Sequence, residues 1–138
     1  MSEHRLVIAS DVEDAAISVA KLAATLKKGI VTVPLSFETN EVGATKVYFP
    51  FAVTINKIRG TVNKVIEATD DGTIQGANST GDSDSGLLTA ASSDVVGVEY
   101  SASPTTNNTV VADSYYKLTS AKSTAGGRVI STLEFTRT

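Results

Sequence analysis

Between Ile30 and Ile55 the chain alternates. Val31, Val33, Leu35 and Phe37 are separated by Thr32, Pro34 and Ser36, and Val47, Phe49, Phe51, Val53 and Ile55 repeat that spacing. A period of two places one set of side chains on one face of an extended strand, so both stretches predict half-buried strands. Pro50 falls on the opposite face of the second run and, lacking an N–H, predicts a sheet edge or a bulge. After Asn56 the apolar positions move to Ile58, Val62 and Ile66. That change of parity requires a turn or bulge near Asn56-Lys57.

Further strands are predicted over 72–78 (GTIQGAN), 94–102 (DVVGVEYSA), 114–120 (SYYKLTS) and 127–137 (GRVISTLEFTR), with 85–92 (SGLLTAAS) a strand or a helical turn. Val96, Val98 and Tyr100 are expected to point inward, as are Tyr116 and Leu118, and Val129, Leu133 and Phe135. Turn-forming clusters at 70–72, 78–86, 103–108 and 123–127 separate them. About seven or eight short strands punctuated in this way predict an all-β domain over residues 30–138, an antiparallel β-sandwich of jelly-roll-like topology.

The first 29 residues follow a helical rhythm instead. Ser10 and Glu13 in "SDVE" form a capping box, and Asp11, Glu13 and Asp14 sit where the helix dipole favours negative charge. Val12, Ala15, Val19, Leu22 and Leu26 recur at spacings of three and four, and Lys27 and Lys28 precede Gly29 as a C′ stop. The predicted arm, 1–29, therefore carries a short amphipathic helix ending near Lys28. A helix this short is marginal in water and must dock on something. Leu6, Val7, Ile8, Val12, Val19, Leu22 and Leu26 are accordingly the candidate partner-binding and oligomerisation residues; the plainer alternative is a helix that covers one open end of its own sandwich.

Composition narrows the function. With 138 residues the chain fits one domain, and 41% hydrophobic residues suffice for a core. A net charge of −3 and a pI near 5.1 argue against a general nucleic-acid binder and against attachment to an anionic membrane. There is no cysteine to supply a disulfide or a thiolate metal site. No apolar run approaches the roughly 20 residues of a membrane span, and the N-terminus lacks the apolar core of a secretion signal, so use without export is expected. Asn78 and Asn107-Asn108 then read as turns rather than glycosylation sites.

Candidate chemistry is sparse. Asp70, Asp71, Asp82 and Asp84 offer hard oxygen donors for calcium, but without EF-hand spacing they read as solvated turns. Lys57 and Arg59 share a strand face near Lys64 and could pair with a partner's carboxylates, but a solvated sheet face is the default reading. Among the tyrosines at 100, 115 and 116, alternation leaves Tyr115 exposed as a sugar-stacking candidate. Glu67, Asp70, Asp94, Glu99, Asp113 and Glu134 could supply a hydrolytic acid pair, but no spacing unites two of them. A Ser-His-Asp triad would need His4, the only histidine. No enzyme activity and no cofactor are expected.

Two stretches carry a resemblance. "DAAISVAKLAATL" (14–26) is similar to segments near the N-termini of tailed-phage fibre and head-fibre proteins. "FPFAVTINKIRGTVNKVIEATDDGTIQGAN", with "SPTTNNTVVADSYYKLTSAKSTAGGRVISTLEFTRT", resembles small phage virion domains of the capsid decoration (cement) type. The likeness spans residues 14–138, rests on strand and turn chemistry, and brings no catalytic residues. It implies a structural virion protein on the capsid surface, assembled in the host bacterial cytoplasm. Its implied partners are the major capsid protein and itself, as a homotrimer clamping neighbouring capsomers. The absence of repeats and of an extended shaft favours a compact decoration subunit. The alternative is a tail- or head-fibre-associated module that recognises a host glycan through Tyr115 and the loops 78–86 and 103–108.

Overall fold

The computed structural model describes residues 24–37, 43–67, 69–81 and 83–138. Nine strands run in chain order: β1 (Lys28–Ser36), β2 (Gly43–Phe49), β3 (Val53–Lys64), β4 (Gly72–Ala77), β5 (Ser83–Ala90), β6 (Glu99–Ala102), β7 (Thr109–Val110), β8 (Ser114–Ala121) and β9 (Arg128–Arg137). They form two antiparallel sheets, one ordered β1-β9-β3-β6 and the other β2-β8-β4-β5. The short β7 pairs with β3 at Val53 and Thr54, beyond the stretch of β3 that holds β6. The inward faces of both sheets meet in one core. Ile55, Ile58 and Leu133 enter it from the first sheet, and Phe49, Ile74, Tyr116 and Leu118 from the second, all buried.

The alternating pattern places most of these elements correctly. Val33, Leu35 and Phe37 are buried, as are Ile58, Val62 and Ile66, and Val129, Leu133 and Phe135. The parity change at Asn56 is a β-bulge, where the β3–β9 register shifts between Ile55 and Lys57. Of residues 85–92, 85–90 belong to strand β5 rather than a helical turn, and Ala91 and Ser92 lie beyond its end.

Three expectations are corrected. The predicted helix does not reach Lys28: Ala24–Lys27 is a 3-10 turn, and Lys28 and Gly29 already pair with Thr136 and Phe135 in the sheet. Gly29 is thus no helix stop. A Cβ there would lie 2.2 Å from the Phe135 ring, so the missing side chain is what lets the ring cover the strand. The nine-residue alternation around Pro50 is not one strand. β2 ends at Phe49, the chain bends through Pro50 and Phe51, and β3 begins in the other sheet at Val53. Burial at alternate positions is preserved across a change of sheet, which periodicity alone cannot distinguish from straight continuation. Finally, residues 94–98 are turn rather than strand, with Gly97 at φ 99° and Val96 61% exposed. The rest of the predicted arm, with its capping box and seam, lies outside the described residues.

One end of the fold is held by an aromatic cluster. Phe49 of β2 meets Phe135 of β9 edge-on at 5.1 Å, Phe51 lies 6.3 Å from Phe135, and the Arg137 guanidinium stands 4.3 Å over Phe51. The other end is held by backbone and charge. Phe37 and the Gly126-Gly127 pair exchange hydrogen bonds, with Phe37 N–H donating to Gly127 O and Gly126 N–H to Phe37 O. Beside them the fully buried Lys122 ammonium donates to Asp70 Oδ1 at 2.9 Å and to Thr124 O at 2.8 Å. Lys122 holds the Asp70 carboxyl well below the usual aspartate range; partial burial opposes this, while the Thr124 hydroxyl and the N–H groups of Ser123 and Thr124 assist.

Two predictions follow from these ends. Gly29→Ala forces the Phe135 ring against Phe49 and Phe51, and about 1–3 kcal/mol of stability is expected to be lost by urea unfolding. An unchanged midpoint would show that the ring moves freely. For Asp70, the native carboxyl releases its proton more readily than the unfolded chain's, so its stabilising contribution is complete above about pH 4 and lost as pH falls. The stability gap between wild type and Asp70→Asn is therefore expected to be widest at neutral pH and to narrow progressively as pH falls below about 4, with part of it still present at about pH 2. A gap independent of pH would contradict it.

Candidate functional surface

Of the seven predicted partner-binding residues, Leu6, Val7, Ile8, Val12, Val19 and Leu22 lie outside the described residues. Leu26 is on the 3-10 turn that leads into β1, 70% exposed. Two residues into β1, Ile30 is 67% exposed. Both stand where the N-terminal segment meets the first sheet.

The register of that sheet gathers charge on its outer face. Ile30, Glu134 and Lys57 line up across β1, β9 and β3. The next row is Thr32, Thr132, Arg59 and Ser101, and the next Pro34, Ile130, Thr61 and Glu99. Beyond these, Ser36 and Lys64 flank Arg128. Arg59 Nε donates to Glu134 Oε1, and Asn56 Nδ2 donates to Thr136 Oγ1 at 2.6 Å. Arg59 depresses the Glu134 carboxyl below its usual range, chiefly by that hydrogen bond; burial opposes the shift, and the charges of Arg59, Lys57 and Lys28 add to it. Glu134 therefore stays ionised and neutralises only one of the three cations around it.

Five cations (Lys28, Lys57, Arg59, Lys64 and Arg128) thus share one face with Glu99 and Glu134, with Glu67 beside Lys64 and Arg128 at its far end, in a chain whose net charge is −3. The face is basic on an acidic protein. A shallow groove of about 340 Å³ crosses it between Lys28, Ile30, Asn56 and Glu134. Its shape suits a broad contact, and a second hollow of about 250 Å³ lies on the same face between Arg59, Thr61, Glu99 and Ser101.

Lys57 and Arg59 do share this face, as their parity predicts, and Lys64 joins it after a second register shift between Val62 and Lys64. The contributions of Lys28, Arg128 and Glu134 were not anticipated. They come from strands remote in sequence, and only the pairing of β1 and β3 on either side of β9 brings them together.

The other candidates separate. Asp70 is engaged by Lys122, and Asp71 Oδ1 accepts the Ser92 N–H at 2.8 Å; Asp82 and the Asp84 side chain lie outside the described residues. Among the described residues no group of three or more acidic or histidine side chains could hold a metal ion. Tyr116 is buried and Tyr100 half-buried against the core, as expected. Tyr115 is only half-exposed, because Tyr48 packs edge-on against it at 5.6 Å; the exposed tyrosine is Tyr48, at 68%. Its position on the polar face of the 47–55 alternation was the available signal.

Loop 103–108 is fastened inward. Asn108 Nδ2 donates to Ile55 O at 2.8 Å and Pro104 O at 3.0 Å, and Asn107 Nδ2 donates to Ser83 O at 3.0 Å. These asparagines close turns. Asn78 does likewise, its Oδ1 accepting the Thr80 hydroxyl at 2.6 Å.

No protein-family model and no curated protein matches this chain.

Proposed function

We propose that this protein is a non-catalytic structural subunit that decorates and stabilises a tailed-phage capsid. The basic outer face of the β1-β9-β3-β6 sheet is turned toward an acidic patch on the shell in this reading. The single observation that carries it is the charge segregation: five cations on one flat face of an acidic chain, next to exposed Leu26 and Ile30 where the N-terminal segment enters. Complementary potentials of this kind orient a subunit before short-range contacts form. The resemblance of residues 14–138 to decoration proteins supplies the identity of the partner.

The strand order supports the same reading. We interpret β1-β9-β3-β6 facing β2-β8-β4-β5 as a jelly roll, with β6 and β7 forming a single broken edge. Jelly rolls recur in viral capsid and lectin domains. The analogy concerns fold and does not by itself assign function.

In this reading the N-terminal segment, with Leu6, Val7, Ile8, Val12, Val19, Leu22 and Leu26, joins three copies about a threefold axis. Closed symmetry limits the assembly, and three linked contacts raise the effective concentration of each for the shell. No cofactor takes part.

Light scattering on the full chain is expected to give a mass near three times 14.3 kDa. The double variant Leu26→Asp/Ile30→Asp is expected to shift it toward the monomer. A monomeric wild type at all concentrations would remove the preassembled trimer. Docking is read separately, by co-sedimentation with undecorated tailed-phage shells. Lys57→Glu/Arg59→Glu is expected to weaken retention by about tenfold or more, and salt to weaken the wild type. Retention indifferent to both would place the contact elsewhere.

A further inference from the structure

The opposite outer face carries a second, unrelated arrangement. β2 and β8 pair so that Lys46 lies directly across from Lys117 and Tyr48 directly across from Tyr115. Like charges directly opposite on an antiparallel pair are destabilising, because their side chains leave the strands only about 5 Å apart. No carboxylate of the described residues forms an ion pair with either lysine. Lys46 Nζ rests 4.2 Å from the centre of the Tyr115 ring, which offers some compensation; among the described residues no aromatic ring lies in the same way beneath Lys117.

The aromatic half of the arrangement divides into a fixed ring and an open one. Tyr115 is held by Lys46, by the edge contact with Tyr48, and by its hydroxyl directed at Ser79 O, 3.5 Å away. Tyr48 presents 68% of its surface to solvent. Beside it, Pro50, Phe49 and Asp113 border a shallow hollow of about 290 Å³, most of whose wall is apolar. A pre-positioned ring beside two amines is a small amphipathic site, with one stacking surface and one anion position.

We infer that this face binds a carboxylated sugar. The apolar C–H face of a pyranose lies on Tyr48, and its carboxylate enters between Lys46 and Lys117. An anion there relieves the like-charge pairing, which among the described residues only the Lys46–Tyr115 contact offsets. Tyrosine suits the role, since it offers wide contact area with few torsions to freeze. A polyanion such as single-stranded nucleic acid fits less well. Two lysines match isolated charges spaced by neutral rings, while a chain of net charge −3 repels a continuous run of phosphates. The site lies on the face away from the proposed shell contact and does not rest on that reading.

The test uses the full chain with tri-galacturonate and a sialylated trisaccharide as acidic probes. Fully methyl-esterified tri-galacturonate keeps the rings and removes the charge, and a thymidine oligonucleotide supplies phosphates and bases. Calorimetric titration and amide shift mapping are the readouts. Saturable binding of at least one acidic probe is expected, with shifts centred on residues 44–50 and 113–119. Tyr48→Ala and Lys117→Gln are each expected to weaken it by about tenfold or more; Lys117→Gln is expected to do so with no loss of thermal stability, because it removes one of the two facing charges. Lys117→Arg is expected to restore binding if charge is what matters. The inference is overturned if neither acidic probe binds. It is equally overturned if the ester binds as well as the acid, if the oligonucleotide binds more tightly, or if the shifts fall on another face. Loss of shell retention in Lys57→Glu/Arg59→Glu with sugar binding intact would confirm that the two faces act independently.

Discussion

Phe135 is the ring on which the two sheets are joined. It projects from β9 into the core, covers Gly29 on the neighbouring strand, and meets Phe49 of the opposite sheet edge-on at 5.1 Å. Phe49 ends β2, and Phe51 lies in the bend that carries the chain to β3. One cluster therefore determines where the chain changes sheets and how the sheets face one another there. Gly29 belongs to it as much as the rings do, because a side chain at that point would occupy the space of Phe135.

At the far end of β1 the same problem of joining loops to sheets is solved with polar groups. Gly126 and Gly127 adopt φ of 124° and 120°, and their peptide groups bond to Phe37 and Glu67. Lys122 buries its ammonium in this knot and makes the loop around Asp70 its counter-ion. A buried cation is costly alone and acceptable when fully hydrogen-bonded, so removing the aspartate is worse than never having placed the lysine. The Asp-rich turn that resembled a cation site in sequence is thus, at Asp70, already occupied by a cation of the chain itself.

The two outer faces follow from the two solved ends. Among the described residues both ends are closed by the fold's own side chains and backbone, and the broad surfaces they present are the outsides of the sheets. They differ in chemistry. One is a wide basic field with apolar residues at its margin, suited to a large complementary surface. The other is a compact aromatic and cationic spot, suited to a small anion with a ring. A subunit that docks by the first and presents the second outward would combine structural and recognition roles in a single sandwich.

Much of this architecture is written in local sequence. Alternation marks the inward faces of β1, β3, β8 and β9, and the parity change at Asn56 marks the bulge, because a period of two is a direct consequence of extended backbone. Composition likewise argues against thiolate chemistry. What local sequence cannot carry is pairing. The bend at Pro50 looks like continuation because alternate burial survives a change of sheet, and Gly29 looks like a helix stop because its partner, Phe135, is more than a hundred residues away. The basic face depends on Lys28, Lys57, Arg59, Lys64 and Arg128 meeting across three strands, and the tyrosine-lysine site depends on the β2–β8 register. Hydrophobic periodicity determined which side of each strand is buried; only tertiary pairing decided which charges and rings became neighbours, since hydrogen-bond register is set between segments and leaves no mark within either one.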